Sequence, residues 1–348
     1  MQQKLRNHYE RVRITKSFKQ YKIYGERETD MKLLYGTKSI LEQKDFLSME
    51  DISGQQLSDL LNLAVELKER MKSGYMDTPL KGKILGMIFE KNSTRTRVSF
   101  EAGMLQLGGH AIFLSGNDTQ LGRGEPISDT AQVLSEYVDA LMIRTTTHER
   151  AQKLADYSTV PVINGLTDLE HPCQALADLL TIKEVKGSLQ GIKLAYVGDG
   201  NNVANSLMMA AVKCGMYMTI ATPPGYEPDP ELVKKAKDEA LKYGGKLELF
   251  NQAESAVMDA DVIYSDVWTS MGQEQENEKR LADFKNFQVN DQLVGAAKPD
   301  YLFMHCLPAH RGEEVTASII DSNHSIVIKQ AGNRLHAQKA LLVDLIVK

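Results

Sequence analysis

Short apolar runs alternate with segments of helical periodicity along most of the chain. A first helix is predicted from apolar residues three or four positions apart and the glycine that follows them, namely Leu57, Leu60, Leu61, Ala64, Leu67, Met71 and Gly74. Helices are then predicted over residues 94–107, 127–137 and 149–156, and the apolar runs around them predict four strands: KILGMIFE, HAIFLSG, ALMIRT and VPVING. This alternation with short links is typical of a parallel sheet covered by helices.

The same alternation begins again after a helix that starts near His171. Helices are predicted over residues 202–214 and 230–243, with strands at IKLAYVGDG, MTIATP, KLELFN, DVIYSDVW and YLFMHCLP and a final amphipathic helix at GNRLHAQKALLVDLIVK. The sequence therefore predicts an α/β fold of two similar domains, each a parallel sheet with helices on both faces. Ligands bind beyond the carboxyl ends of parallel strands, so we expect the active site in the cleft between the two domains.

Composition narrows the class of protein. A length of 348 residues favours two domains, and the net charge of −5 argues against a nucleic-acid partner. No apolar run approaches the roughly 18 residues that span a bilayer, so no membrane partner is expected. Three scattered cysteines favour a reducing compartment, and no zinc-type Cys/His spacing occurs, so we predict a cytoplasmic protein without a metal. Residues 1–30, with eight Lys or Arg against four Asp or Glu, are interpreted as a poorly ordered extension upstream of Met31.

The stretch EKNSTRTRVSF, residues 90–100, places many hydrogen-bond donors where a strand gives way to a helix. Ser93 is expected to cap the helix, which leaves backbone N–H groups at Thr94 to Thr96 pointing outward. Such a helix start binds anions, and the guanidinium of Arg95 matches phosphate oxygens. A cap with solvated arginines would explain a lone Ser-Thr pair, but four phosphate-competent side chains in a row favour an anion site.

Two further clusters are predicted at the same rim. Arg144 ends the third apolar strand, where an exposed strand-end charge is the alternative interpretation. His171, Gln174 and Asp178 fall on the polar side of the helix HPCQALADLL, so we expect His171 and Gln174 to face outward near the domain junction. An imidazole there suits the polarisation of a carbonyl group, whereas the alternative is a capping histidine beside a surface glutamine.

The second half offers three more strand ends. VGDGNNVANS does not match a dinucleotide-binding fingerprint, because Val203 replaces the third glycine. This disfavours an NAD enzyme. The two asparagines at this turn remain available for a polar substrate. Asp266 follows a strand and suits an ammonium group, and Gly272 indicates that the loop after it can move. Cys306 ends the last strand, where a small buried cysteine is the alternative interpretation.

Four of these motifs, in this order, resemble the aspartate/ornithine carbamoyltransferase family over roughly residues 34–348: STRTR, HPCQ, SMG and HCLP. DVWTSMGQE and HCLPAHRGEEVT resemble the ornithine branch, since the aspartate branch lacks the SMG loop. The resemblance implies transfer of a carbamoyl group from carbamoyl phosphate to L-ornithine, giving L-citrulline and phosphate without a cofactor. It also implies a homo-oligomer, either a trimer or a multiple of trimers, with active sites between subunits.

The resemblance also assigns domains and the residues for the first substrate. It implies a carbamoyl phosphate-binding domain over residues 31–180, with the C-terminal helix 332–348 packed back on it, and an ornithine-binding domain over residues 181–331. The implied catalytic residues are Arg144, His171, Cys306 and Asp266. The residues implied to hold carbamoyl phosphate are Ser93, Thr94, Arg95, Thr96, Arg144, His171, Gln174, Cys306, Leu307 and Arg334, with Gln120 from a neighbouring subunit.

For L-ornithine the resemblance implies binding by Asn202, Asp266, Ser270 and Met271, with Cys306 orienting the amine. Two alternatives remain. A putrescine carbamoyltransferase would share STRTR and HCLP, but putrescine has no amino-acid end, with ammonium and carboxylate on one carbon, for Asp266 and the SMG loop. A non-catalytic sensor on the same fold would be expected to lack one of Arg95, Arg144, His171 or Cys306, and all four are present. The sequence leaves open whether the reaction serves arginine synthesis or, in reverse, arginine breakdown.

Overall fold

The computed structural model describes residues 39–75, 77–116, 119–270 and 274–347, so the predicted extension over residues 1–30 lies outside it. The first half alternates as expected, in the order α1 (Gly54–Lys72), β1 (Ile84–Phe89), α2 (Thr94–Gln106), β2 (His110–Ser115), α3 (Ile127–Ser135), β3 (Ala140–Arg144), α4 (His148–Tyr157), β4 (Val162–Leu166) and α5 (Pro172–Lys186). Short 3-10 helices lie at Met49–Asp51 and Gln120–Arg123.

The second half repeats the alternation with more short helices. Its elements are β5 (Lys193–Val197), α6 (Asn202–Lys213), β6 (Tyr217–Ala221), α7 (Pro230–Tyr243), β7 (Lys246–Phe250), α8 (Ala253–Val257), β8 (Val262–Ser265), α9 (Asn277–Asp283), α10 (Asp291–Val294), β9 (Leu302–His305), α11 (Ala317–Ile320) and α12 (Val327–Ile346). The sequence did not predict α8 to α11, because helices of four to seven residues give too few turns for a periodic pattern.

Two parallel sheets confirm the predicted fold class. The strand order is β2-β1-β3-β4 in the first sheet and β7-β6-β5-β8-β9 in the second. The direction in which successive strands are added to the sheet reverses at two places. One lies between β1 and β3, where Phe89 pairs with Arg144, and the other lies between β5 and β8, where Val197 pairs with Ser265. The loops that leave these paired strand ends diverge to opposite sides, and such reversal points are where open parallel sheets bind ligands.

Both faces of the strands are buried, which explains their continuous apolar runs. In β5, Leu194 and Tyr196 belong to a core that also contains Leu85 of β1, while Ala195 and Val197 belong to a separate core on the opposite face. Neighbouring side chains of a strand point to opposite faces, so a strand covered on both sides is apolar at every position. One core therefore extends across the two halves and holds the sheets together.

The C-terminal helix α12 packs against α1, α2 and α5 of the first half and also contacts β9. It begins at Val327, five residues before the predicted residue 332. The prediction missed this start because no capping side chain marks it. Near its end, Asp344 accepts the backbone N–H groups of Ile40 at 2.6 Å and Leu41 at 3.0 Å. Within the described ranges, no helix is long and apolar enough to cross a membrane.

Candidate active site

The loop after β1 and the first turn of α2 form one wall of the cleft. Ser93 caps α2 as predicted, because its Oγ accepts the backbone N–H of Thr96 at 3.2 Å. The same Oγ donates to Thr96 Oγ1 at 3.1 Å, which fixes both hydroxyls. The first N–H groups of a helix, here those of Thr94 and Arg95, have no acceptor inside the helix. This geometry is typical of an anion site.

Three guanidinium groups come together beside this helix start. Arg95 lies in the first turn of α2, Arg144 ends β3, and Arg334 projects from α12. Arg144 and Arg334 are buried, with 5% and 2% of their surface exposed. Among the described residues, none of the three forms an ion pair with Asp or Glu, because the Arg–carboxylate pairs are made by arginines elsewhere in the chain. Burial, followed by the charges of Arg334 and Arg95, lowers the pKa of Arg144 to about 9. Buried like charges without acidic partners require an anionic ligand for balance.

The start of α5 is buried beneath these guanidinium groups. Our prediction that His171 and Gln174 face outward is wrong: both are buried, as is Asp178, because α12, α6 and α1 pack around α5. Gln174 Oε1 accepts from Arg334 Nη1 at 2.7 Å, and Gln174 Nε2 donates to Asp178 Oδ1 at 2.8 Å. Arg334 Nη2 also lies 3.4 Å from Thr96 Oγ1. The polar side of α5 therefore holds Arg334 against the anion site.

His171 lies directly before α5 and is held through its backbone. Its N–H donates to Ser206 Oγ at 2.7 Å, and that hydroxyl donates to the carboxylate of Glu170. Ser48 Oγ donates to the other oxygen of Glu170 at 2.8 Å. Burial, followed by the charges of the three arginines, lowers the pKa of His171 well below its ordinary value. The imidazole is therefore neutral at pH 7, and its one N–H can donate to a carbonyl oxygen.

The opposite wall comes from the second sheet. Asp266 follows β8 and Cys306 follows β9, as predicted, and Cys306 Sγ lies 2.8 Å from Asp266 Oδ1. Asn201 Nδ2 donates to Asp266 Oδ2 at 2.8 Å. Burial and then the neighbouring Asp266 carboxylate raise the pKa of Cys306 well above its ordinary value, so the thiol stays protonated and donates to that carboxylate. A protonated thiol is a poor nucleophile, so the pair suits the orientation of an amine rather than covalent chemistry.

Hydrogen bonds from several elements hold the loop that carries Cys306. The backbone N–H of His305 donates to Gln330 Oε1 at 2.9 Å, and His305 Nδ1 accepts the N–H of Leu307 at 2.9 Å. His305 Nε2 lies 3.1 Å from Glu314 Oε1. The carbonyl oxygen of Leu307 accepts from Arg95 Nη2 at 2.6 Å. Arg95 therefore bridges the two walls of the cleft.

The segment after Asp266 is anchored at its base by an ion pair. Arg280 Nη1 donates to Asp199 Oδ2 at 2.9 Å and to the carbonyl oxygen of Trp268 at 2.8 Å. Burial raises the pKa of Asp199 to about 6, although Arg280 opposes this change. The ion pair joins the turn after β5 to the loop after β8. Ser270 lies in that loop, whereas the predicted residue Met271 lies outside the described residues.

Two groups of potential metal-ligand atoms lie within 4.8 Å of one another among the described residues: Asp266, His305 and Cys306, and His310, Glu313 and Glu314. In the first group, both ring nitrogens of His305 already have hydrogen-bond partners in the protein. We therefore assign no metal ion to the first group and interpret its side chains as groups that orient the substrate.

Comparison with known proteins identifies the family of this two-walled site. The carbamoyl-P binding domain of aspartate/ornithine carbamoyltransferases matches residues 44–184, and the Asp/Orn binding domain matches residues 190–345. The chain belongs to the aspartate/ornithine carbamoyltransferase family. The ornithine carbamoyltransferase of Anoxybacillus flavithermus is 62% identical over 306 residues, which covers 88% of this chain and 98% of that protein. That of Carboxydothermus hydrogenoformans is 58% identical over 303 residues, which covers 87% and 97%.

Solved structures of the family have the same fold. The ornithine carbamoyltransferase of Pyrococcus furiosus superposes with a TM-score of 0.86 at 55% identity, which covers 89% of this chain and 99% of that chain. The anabolic ornithine carbamoyltransferase of Campylobacter jejuni gives a TM-score of 0.82 at 43% identity and covers 87% of this chain and 99% of that one.

Two residues that the family resemblance selected are not joined to the site by any described contact. Gln120 is exposed in a short 3-10 helix, so its contribution to a neighbouring subunit stays a prediction. Asn202 Nδ2 donates to the carbonyl oxygen of Thr167 at 2.5 Å, and Asn201 rather than Asn202 contacts Asp266. The role of Asn202 in ornithine binding therefore also stays a prediction.

Sequence reasoning missed three polar residues that support the predicted site residues: Glu170, Gln330 and Glu314. It counted Asn201 among two asparagines for a polar substrate but did not predict its hydrogen bond to Asp266. Asn201 and Glu170 stand directly beside Asn202 and His171, so their position next to a motif residue was the signal that could have identified their supporting roles. Gln330 is fully buried in α12 and links His305 to Asp178, to which its Nε2 donates at 2.7 Å. An amide inside an otherwise apolar helix face is the kind of buried polar group that requires partners.

Proposed function

We propose that this chain transfers the carbamoyl group of carbamoyl phosphate to the side-chain amine of L-ornithine, giving L-citrulline and inorganic phosphate. The observation that carries this proposal is the convergence of Arg95, Arg144 and Arg334 with no acidic partner in the described part of the chain. The phosphate group of an acyl phosphate balances that charge, and the Asp266–Cys306 pair on the other wall suits an amine. Relatives at 62% and 58% identity named ornithine carbamoyltransferase support the choice of substrates.

In this proposal the phosphate group lies at the start of α2. The hydroxyls of Ser93, Thr94 and Thr96 and the guanidinium of Arg95 donate to its oxygens, together with free N–H groups of the helix. Arg334 reaches the same ligand from α12. Carbamoyl phosphate also displaces the Leu307 carbonyl from Arg95, which frees that carbonyl to accept from the carbamoyl NH₂. Gln174 Oε1, which accepts from Arg334, has a second lone pair for the same NH₂ group.

Arg144, His171 and Thr96 polarise the carbonyl oxygen of the carbamoyl group. As the amine nitrogen attacks the carbonyl carbon, a C–N bond forms and negative charge grows on this oxygen. The C–O bond to phosphate then breaks, inorganic phosphate leaves, and the nitrogen loses a proton. Each donor already aimed at the developing oxyanion contributes a few kcal/mol, about 3, to the lowering of the barrier. The neutral state of His171 suits this role because the site already holds three positive charges.

The second half of the chain binds L-ornithine in this proposal. Asp266 pairs with the α-ammonium group, and Asn202, Ser270 and Met271 bind the α-carboxylate end. Cys306, which is hydrogen-bonded to Asp266, orients the side-chain amine, and that amine attacks in its neutral form. Putrescine keeps a second ammonium group but has no α-carboxylate, so it leaves Asn202, Ser270 and Met271 without a ligand.

The test is an assay with two products and two amines. The purified protein receives carbamoyl phosphate with either L-ornithine or putrescine, and citrulline or carbamoylputrescine is measured together with phosphate release. We expect turnover with L-ornithine and stoichiometric phosphate. Preference for putrescine would overturn the assignment of Asn202, Ser270 and Met271 to an α-carboxylate, and no phosphate release with either amine would favour the non-catalytic sensor.

A matched pair of variants on one helix tests the phosphate site. Arg95→Ala removes a guanidinium of the cluster and is expected to lower kcat/KM for carbamoyl phosphate about 10–200-fold, because a charged hydrogen bond contributes about 1.5–3 kcal/mol. Arg97→Ala is the control, because Arg97 is exposed and pairs with Glu101 on the surface of α2. Equal loss in both variants would show a general effect on α2 instead.

We also infer that the chain forms a homo-oligomer, with a trimer as the family resemblance implies. Exposed large apolar side chains support a contact surface on the first half: Val98, Leu105, Ile112, Val133 and Tyr137. Gln120 then completes the site of a neighbouring subunit. Light scattering with size-exclusion chromatography tests this inference, and a mass of one chain would contradict it. A cytoplasmic location stays a prediction.

A further inference from the structure

We propose that His310, Glu313 and Glu314 bind a divalent transition-metal cation such as Zn²⁺ beside the loop that carries Cys306. These residues lie in the segment after β9, and one ring nitrogen of His310 and one carboxylate oxygen of each glutamate all lie within 4.8 Å of one another. His310 and Glu313 take no part in the proposed carbamoyl transfer, so this inference is independent of that function.

The distances fit a bridging ion better than direct hydrogen bonds. His310 Nδ1 lies 3.6 Å from Glu313 Oε2 and 3.9 Å from Glu314 Oε2, which is longer than a hydrogen bond. Zinc binds nitrogen and oxygen at about 2.0–2.2 Å, so two ligands of a tetrahedral ion lie roughly 3.4 Å apart. Shifts of a few tenths of an ångström in the side chains would bring both distances from His310 Nδ1 to that spacing.

Glu314 supplies an oxygen that lacks a protein partner. Its carboxylate is fully buried, and Oε2 has no hydrogen-bond partner within the described residues, although it lies 3.9 Å from His310 Nδ1. The other oxygen, Oε1, accepts from the backbone N–H of His310 at 2.6 Å and lies 3.1 Å from His305 Nε2. One oxygen thus orients the carboxylate and leaves the other free to coordinate, as is common for metal-bound carboxylates.

The surrounding charges favour a cation at this position. Arg311, the neighbouring residue, points elsewhere, because its guanidinium forms two hydrogen bonds to Asp321 at 2.6 and 2.9 Å. His310 and Glu313 have 51% and 38% of their side chains exposed, so an ion can enter from solvent. One imidazole and two carboxylates favour zinc, cobalt or nickel over calcium or magnesium, which take oxygen ligands.

Co²⁺ is the probe, because its visible spectrum reports the ligands. The full-length protein is titrated with Co²⁺ in a chelator-free buffer, and equilibrium dialysis with Zn²⁺ measures the stoichiometry. We expect one saturable ion per chain and d–d absorption without a thiolate charge-transfer band, because the site contains no sulfur. A charge-transfer band would place the ion at Cys306 instead and overturn the proposal.

Variants at exposed positions separate this site from general metal adsorption. His310→Ala and Glu313→Gln are expected to weaken binding at least about tenfold, since each removes a direct ligand. His110→Ala is the control, because His110 is exposed on β2 in the first half. Circular dichroism confirms that each variant is folded. Equal binding by His310→Ala and His110→Ala, or no saturable binding by the unmodified protein, would overturn the proposal.

Discussion

Replacing Arg144 with methionine is expected to make this protein more stable and less active. Arg144 is 5% exposed and has no ion-pair partner among the described residues, and its Nε is buried without a hydrogen bond. In the free protein its charge therefore opposes folding. In the complex with carbamoyl phosphate the same charge acts on the ligand. Methionine keeps a long side chain of similar volume and removes the charge.

The magnitude follows from the pKa. Burial, followed by Arg334 and Arg95, lowers the pKa of Arg144 from 12.5 to about 9, and 3.5 units correspond to about 5 kcal/mol. This free-energy penalty of the buried charge is fully present at pH 7.5, which lies below the pKa of Arg144 in both the folded and the unfolded state. It disappears only as the pH rises from about 9 through 12.5. Side-chain relaxation and water in the cleft reduce the effect, so we expect a gain of about 1–4 kcal/mol in the free energy of unfolding. The loss of an oxyanion donor should lower kcat about 10²–10³-fold.

The assay is urea unfolding at pH 7.5 in a buffer free of phosphate, because phosphate would bind to the unmodified protein and stabilise it. Arg150→Met is the control, since Arg150 pairs with Glu90 and its removal should give no gain. Adding carbamoyl phosphate should then stabilise the unmodified protein more than Arg144→Met. If Arg144→Met is less stable than the unmodified protein without ligand, the view of Arg144 as an unbalanced buried charge is wrong.

Two further predictions concern carboxylates of the site. Burial raises the pKa of Glu170 from 4.5 to about 7, so its contribution to stability is present below pH 4.5 and is lost as the pH rises through 7, by about 3 kcal/mol. Glu170→Gln should therefore lose less stability than the unmodified protein between pH 5 and pH 8 in urea unfolding, and an equal loss in both would contradict this. Asp266→Asn should raise KM for L-ornithine about 10–200-fold, because a charged hydrogen bond is lost, and leave the Kd of carbamoyl phosphate unchanged in calorimetry. Equal weakening of both ligands would show that Asp266 supports the whole cleft.

The strands were predictable because burial on both faces leaves continuous apolar runs such as that of β1. The long helices were predictable because 12 or more residues give several turns of periodicity, as in α1 and α6. The short helices α8 to α11 were not, because their conformation is set by the strands around them. The start of α12 was also missed, since no capping residue marks it.

The capped start of α2 was predictable from local chemistry, whereas the environment of α5 was not. Ser93 caps α2 through contacts three residues apart, and such local geometry is encoded in neighbouring residues. The burial of His171 and Gln174 depends on α12, whose residues lie more than 150 positions later in the chain. The polar side of a helix normally faces water, so periodicity alone gave the wrong prediction that these two side chains are exposed.

By itself, the sequence determined the two parallel sheets, the capped start of α2 and the residues that end each strand, because these depend on local patterns. Only the tertiary structure decided that Arg144, Arg334 and His171 share one buried space and that Asn201 orients Asp266. The physical reason is that pKa values and the balance of charge depend on groups distant in sequence, which only the packing of two sheets and α12 brings within a few ångströms.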